Sequence, residues 1–176
     1  MKLTDIQEEL YNIFLRNDFQ VLVGIWSRQS GKSFLENNII VNESVNKKTN
    51  ILGYYYAPFL ASGHLLNQTY HDLGYGNELI KESRQFVELR NGSTVYSAGY
   101  NSEKLDGNIY DLIIIDEFFY ATESLIYEIC HYSKTVPKCK FLLMGSIDNN
   151  KRQSLRNLEI IQEQMSIYKY LIHAQK

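Results

Sequence analysis

Val21-Leu22-Val23-Gly24-Ile25-Trp26, running into Ser27-Arg28-Gln29-Ser30-Gly31-Lys32-Ser33, decides the fold class of this chain. Six apolar residues without alternation have the length of a strand, and their unbroken pattern suits a strand covered on both faces, as in a parallel sheet. The polar segment behind them leads into a helical stretch from Lys32 to about Val45. Ile51 to Ala57 then reads as a second strand, stopped by Pro58. Strand, loop, helix and strand form one βαβ unit.

Working outward, Thr4-Asp5-Ile6-Gln7 has the form of a capping box, and Ile6, Leu10, Ile13 and Phe14 follow at helical spacing, so a helix opens the chain. Beyond the unit, Leu66, Tyr70 and Leu73 mark a further helix. Gln85 to Leu89 and Thr94 to Ala98 flank Arg90-Asn91-Gly92-Ser93 as a hairpin. Leu112 to Ile115 is an apolar strand emptying into Asp116-Glu117. Leu125, Ile129 and Tyr132 indicate a helix, Phe141 to Met144 a buried strand, Leu158, Ile161 and Met165 a last helix, and Tyr168 to Ile172 a final strand. This order specifies an α/β three-layer sandwich, its central sheet mostly parallel with an added antiparallel hairpin. Ligands of such sheets sit at the carboxyl ends of the strands, where both polar motifs fall.

The 176 residues fit a single domain spanning 1–176. A net charge of −2 and a pI near 6.1 provide no global basic field, so nucleic-acid contacts would have to come from local clusters. Lys47-Lys48, Lys134-Lys138-Lys140 and Lys151-Arg152-Arg156 are such clusters, and ordinary solvated faces are the better explanation of them. Cys130 and Cys139 form neither a disulfide framework nor a zinc pattern, and no apolar run approaches bilayer length, which points to a reduced, cytoplasmic protein without a membrane anchor. His64, His71, His131 and His173 are scattered and carry no assignment.

Arg28-Gln29-Ser30-Gly31-Lys32-Ser33 lies between a buried strand and a helix, the setting a phosphate loop requires. Gly31 lets backbone approach phosphates, the amides at the helix start donate, Lys32 reaches the β and γ phosphates, and the Ser33 hydroxyl ligates Mg²⁺. The generic pattern has glycine where this chain has Trp26. The bland alternative is a βα turn with Ser30 as a cap and Lys32 on the surface. Asp111-Leu112-Ile113-Ile114-Ile115-Asp116-Glu117 matches the Walker B form: Asp116 would hold the metal shell and Glu117 would orient and deprotonate the attacking water. Its alternative is that the two acids cap a helix starting near Thr122. Together the motifs specify hydrolysis of ATP or GTP on a sandwich of the P-loop NTPase type (ASCE/RecA-like).

Several features at once resemble the large terminase subunits of tailed bacteriophages, over nearly the whole chain: Gln7, the Arg28-Gln29-Ser30-Gly31-Lys32-Ser33 loop, Asn91-Gly92-Ser93, Gly107, Asp116-Glu117 and Gly145-Ser146. Trp26 is no obstacle in that family. The resemblance implies an ATPase using ATP and Mg²⁺, in which Gln7 contacts the adenine, although a capping box explains Gln7 as well. Arg28 would act in cis on the phosphates, and Ser146 would couple hydrolysis to movement. It also implies double-stranded DNA and a portal or procapsid as partners, with a small terminase subunit a further candidate. Assembly into a homo-oligomeric ring, a pentamer in the family pattern, and a setting in the host-cell cytoplasm follow from the same likeness. Many members carry an arginine directly before the glycine that precedes the Asp-Glu strand; Leu105-Asp106-Gly107 has aspartate instead, leaving Lys104, Arg84 and Arg90 as candidates for a finger acting in trans. No acidic triad remains for the nuclease domain of such subunits. A helicase-like nucleic-acid motor and a nucleotide-binding switch with little turnover are the competing functions.

Overall fold

The computed structural model describes residues 3–16, 19–56, 59–146, 152–165 and 167–173, the backbone alone at 59–64, 152–155 and 167–173. The elements run α1 (Asp5–Arg16), β1 (Val21–Trp26), α2 (Lys32–Asn46), β2 (Asn50–Tyr55), α3 (Phe59–Asp72), β3 (Leu79–Glu82), β4 (Phe86–Leu89), β5 (Thr94–Gly99), β6 (Leu112–Ile115), α4 (Glu123–Thr135), β7 (Lys140–Ser146), α5 (Arg152–Gln164) and β8 (Ile167–His173). An eight-stranded sheet has the order β3-β4-β5-β2-β6-β7-β1-β8. Its pairs are parallel from β5 to β8 and antiparallel at β3-β4 and β4-β5, as the expected architecture requires. Pro58, expected to end the second strand, lies outside the described residues.

All six residues of β1 are buried, and they divide strictly by parity. Val21, Val23 and Ile25 pack with Leu125, Ile129, Ile160 and Ile161 of α4 and α5, whereas Leu22 and Trp26 pack with Leu10, Phe14, Leu35 and Ile39 of α1 and α2. That is the period-2 consequence of a strand between two helical layers. Each such aliphatic side chain contributes roughly 1.5–3 kcal/mol on burial. Gly24 permits the close seating of α1: a Cβ there would stand 2.9 Å from a Leu10 methyl and 2.6 Å from the Met144 sulfur. Trp26, 1% exposed, fills the root of the loop that follows.

The capping box at the chain start is formed, with Thr4 N–H donating to Gln7 Oε1 (2.9 Å) and Gln7 N–H to Thr4 Oγ1 (3.4 Å). The β4-β5 hairpin is present, but its turn differs from the two-residue Asn-Gly form: Gly92 has φ 82° and its N–H donates to Leu89 O (2.9 Å), while Leu89 N–H donates to Ser93 O (3.0 Å). This is a three-residue loop with glycine in the left-handed position. Its polar residues cap α2. Asn91 Nδ2 donates to Ser44 O (2.8 Å), and Ser93 Oγ donates to Ser44 O (2.8 Å) and Lys47 O (3.0 Å) while accepting from Thr49 N–H (3.0 Å). The carbonyls a helix leaves unpaired at its end are thereby satisfied. β3 was not legible in the sequence: Leu-Ile-Lys-Glu is short and mostly exposed, the form of a charged edge strand. No helix among the described residues is long and apolar enough to cross a membrane.

Ser93 is fully buried, so Ser93→Ala takes the acceptor from the Thr49 amide and a donor from two carbonyls, of which Ser44 O keeps Asn91. Stability should fall by about 1–3 kcal/mol, read as a lower urea midpoint with an unchanged slope.

Candidate functional site

Because β5, β2, β6, β7 and β1 are parallel neighbours, their carboxyl ends share one edge of the sheet. The loop after β1, the acids after β6 and Ser146 at the end of β7 therefore meet there. The loop takes left-handed backbone at Gln29 (φ 60°) and Gly31 (φ 77°). Ser30 does not cap α2; its hydroxyl turns back to Ser27 O (2.8 Å), and Gly31 at the cap position has no side chain. The first amides of α2 are thus without a side-chain cap, the arrangement that receives an anion.

Lys32 is 6% exposed, so it is not a surface lysine. Its Nζ donates to Ser146 Oγ (2.7 Å) and Ser27 O (3.4 Å) and stands 3.2 Å from Glu117 Oε1. Glu117 also accepts from Ser146 N–H at Oε2 (2.8 Å) and from the Ser146 hydroxyl at Oε1. The glutamate thus faces the lysine rather than the core. Ser33 Oγ donates to Asp116 Oδ2 (3.4 Å). Arg28 is exposed, and its Nη2 donates to Tyr120 Oη (2.6 Å). Gln7, 4% exposed, also serves the loop, its Nε2 donating to Ser30 O (3.2 Å) and Gly31 O (3.1 Å).

The acids do not cap α4, which has its own cap in Thr122, whose hydroxyl accepts from Leu125 N–H (3.2 Å). Between them lies a tight turn entered through Glu117 in left-handed conformation (φ 53°), strained for a residue other than glycine. Two side chains the sequence did not single out hold that turn. The Tyr100 hydroxyl donates to Asp116 O and Glu117 O (2.9 Å). Fully buried Asn157, on α5, gives Nδ2 to Phe118 O (3.0 Å), Phe119 O (3.4 Å) and Ala121 O (2.9 Å). Neither could be found from spacing, because each is remote in sequence from the strand end it fixes.

Glu36, one turn beyond Ser33, was also missed. It is fully buried, no N–H or hydroxyl meets its carboxyl oxygens, and the carboxyl shares a hydrogen bond with that of Asp116. Burial, then the charge of Asp116, pushes its pKa well above the usual carboxylate range. Asp116 is itself pushed up to about 6 by burial and by Glu117, against the opposing pull of Lys32 and Ser33. Two buried carboxyls side by side cannot both hold charge cheaply. Asp116 Oδ1 is buried and meets no N–H or serine hydroxyl, the carboxyl's other hydrogen bond being the one it shares with Glu36. An inward carboxylate oxygen beside a serine hydroxyl fits a hard cation completed by phosphate oxygens and water, as Mg²⁺ prefers. Among the described residues no cluster of three or more His, Cys, Asp or Glu would hold a metal by itself.

The remaining candidates separate by edge. Lys104 lines a cavity at the loop's edge, its Nζ 5.5 Å from the centre of the Tyr96 ring. Arg84 is exposed just before Gln85, whose carbonyl accepts from Ser97 N–H at that same edge. Arg90 belongs to the hairpin turn at the opposite edge, its Nε donating to Asn77 O (2.8 Å). Lys47-Lys48 and Lys134-Lys138-Lys140 adjoin the amino ends of β2 and β7, again opposite the loop. Lys47 pairs with Glu43 (2.6 Å) and Lys134 Nζ donates to Gln164 Oε1 (2.7 Å). Lys151 lies outside the described residues, as do the side chains of Arg152, His64 and His173.

The fold is that of phage packaging ATPases. The chain is similar to the HK97 bacteriophage large terminase (TM-score 0.76, 14% identity, 98% of this chain and 39% of that one). The large terminase of a thermophilic bacteriophage in complex with ATP-gamma-S is also similar (TM-score 0.70, 12% identity, 97% and 45%). The N-terminal domain of the DNA packaging ATPase from bacteriophage phi29 matches along its length (TM-score 0.60, 14% identity, 97% and 96%). The chain thus spans less than half of the first two proteins. No protein-family model and no curated protein matches it.

A raised Asp116 pKa makes the fold bind a proton more tightly than the unfolded chain does between about pH 4 and 6. Its stabilising contribution is therefore present at low pH and lost as pH rises through about 6. Without metal or nucleotide, Asp116→Asn should raise the melting temperature relative to the unmodified protein at pH 8 and by much less at pH 5. An equal difference at both values would contradict the assignment.

Proposed function

We propose that this chain binds ATP with Mg²⁺ and hydrolyses it, as the nucleotide domain of a motor that drives double-stranded DNA into a phage procapsid. The observation that carries the reading is the buried convergence of Lys32, Glu117 and Ser146, with Ser33 on Asp116 beside it. A lysine that is only a surface charge does not take such a position.

Entering phosphates replace Glu117 and Ser146 as partners of Lys32, and the first amides of α2 receive their negative charge. Glu117, released from the lysine and held in place by its turn, orients a water and accepts its proton as the water oxygen attacks the γ phosphorus. The bond to the β-phosphate oxygen breaks, leaving ADP and phosphate. Ser33 and Asp116 would hold Mg²⁺, which would supply positive charge beside the phosphate oxygens. Arg28 adds a cation from the same chain. Ser146, which touches both Lys32 and Glu117, reports the change to β7 and is the coupling residue. Gln7 spends both amide hydrogens on the loop, so its contact with adenine runs through the remaining lone pair of Oε1.

Arg84 and Lys104, both exposed at the edge of the phosphate loop, are the candidates for action on a neighbour's nucleotide in a ring, with the pentamer as the family pattern. Portal or procapsid and a small terminase subunit are the further partners in the host cytoplasm. Glu117 facing the phosphate lysine favours turnover over a passive switch, and dependence on capsids separates packaging from helicase action.

Lys32→Ala and Glu117→Gln should each reduce ATP hydrolysis about 10²–10⁴-fold, with Glu117→Gln retaining nucleotide affinity in a filter-binding assay. Rates equal to the unmodified protein would exclude the scheme. In mixed assemblies, Arg84→Ala subunits should depress turnover more than in proportion to their fraction; a strictly proportional fall would remove Arg84 from that role.

A further inference from the structure

Beside the phosphate loop, along the same edge, the carboxyl ends of β2, β5 and β6 enclose a cavity of about 670 Å³. Its size is within the range of ligand sites. Tyr56, Tyr100, Tyr120, Gln85, Asn101 and Lys104 contribute to its wall, which among the described residues contains a lysine and no carboxylate. In a chain of net charge −2 that is a local reversal of sign. Tyr56 is 58% exposed and stacks on Tyr120 with ring centres 4.5 Å apart, so an aromatic face stands at the mouth.

We propose that this cavity seats the phosphodiester backbone of the DNA duplex, an inference that rests on the motor reading above and gives it a location. Hydroxyl, amide and ammonium donors without sequence-reading geometry are the groups that hold phosphates and sugars. A protein partner's acidic segment would find one lysine among the described lining residues, whereas a backbone uses neutral donors equally well. Of the basic clusters legible in the sequence, Lys47-Lys48 and Lys134-Lys138-Lys140 adjoin the far edge of the sheet and do not compete for this position, while Arg156 lies on α5, which follows β7, and pairs with Glu159.

The wall is also joined to the hydrolytic groups. Tyr120 accepts from Arg28, and Tyr100 donates to the carbonyls of Asp116 and Glu117. Burial raises the Tyr100 pKa, so its hydroxyl stays protonated and remains a donor. A strand pressing on these rings shifts the arginine and the turn that holds the glutamate. Duplex and nucleotide must then alter each other's binding reciprocally.

The test is binding of a fluorescent 30-base-pair duplex by anisotropy across a salt series, together with ATP hydrolysis with and without that duplex. Tyr56→Ala and Lys104→Gln should each weaken duplex binding about fivefold or more, equally for unrelated sequences, and Lys104→Gln should make the salt dependence shallower by about one unit. The ratio of DNA-stimulated to DNA-free hydrolysis should fall towards one in both. The double variant Lys47→Ala/Lys48→Ala, at the opposite edge, serves as the comparison. If that variant loses affinity while Tyr56→Ala and Lys104→Gln do not, or if the unmodified protein hydrolyses ATP yet does not bind the duplex, the cavity is not the DNA site and the ATPase reading stands. A protein that binds the duplex through Tyr56 and Lys104 but does not hydrolyse ATP would keep the site and overturn the motor reading.

Discussion

A buried ammonium group beside a carboxylate governs this molecule. Lys32 is almost without solvent, and an isolated charge there would be prohibitive, so Glu117 and Ser146 must face it. That requirement fixes the loop after β1, the turn after β6 and the end of β7 relative to one another. It also explains the strand order, since β7 lies between β6 and β1 and brings Ser146 between the two charged groups. In return, the pair is poised for exchange: an incoming polyanion satisfies the same lysine and releases the glutamate.

The elements most visible in the sequence were those with unbroken apolar runs or helical spacing, because burial on two faces leaves a strong pattern. Val21 to Trp26, Leu112 to Ile115 and the amphipathic helices were readable for this reason, as were Lys32, Ser33, Asp116 and Glu117, which lie directly at strand or helix ends. What could not be read were groups acting across the fold. Asn157, Tyr100 and Glu36 look like ordinary residues of a helix or strand end, and their partners are known only once the layers are stacked. The hairpin was found for a partly different reason from the one that holds it: Gly92 alone takes the left-handed backbone, while Asn91 and Ser93 close the end of α2. Gln7 was open between a capping box and a ligand contact, and the structure shows the box together with a tie to the loop that no local pattern encodes.

Polar groups are concentrated at the two edges of the sheet and serve opposite purposes. At the amino ends, serines and asparagines satisfy helix and strand termini, a static task. At the carboxyl ends, the Asp116 and Glu36 carboxyls have chiefly each other as partners and Glu117 is held in strained backbone, departures that a stable core would not otherwise retain. The turn carrying Glu117 is nevertheless clamped from both sides, by Tyr100 and by Asn157. Rigidity is supplied by neutral donors, and the charged groups remain available for exchange.

Trp26 gives the fold an optical property. The chain has one tryptophan, and it sits buried at the last position of β1, immediately before the phosphate loop and packed among side chains of the α1 and α2 layer. Its emission is therefore a single-site signal from the root of the loop, undiluted by any other indole. Fourteen tyrosines elsewhere in the chain can act as energy donors to it, so excitation at shorter wavelength samples the packing of the whole domain while selective indole excitation samples the loop alone.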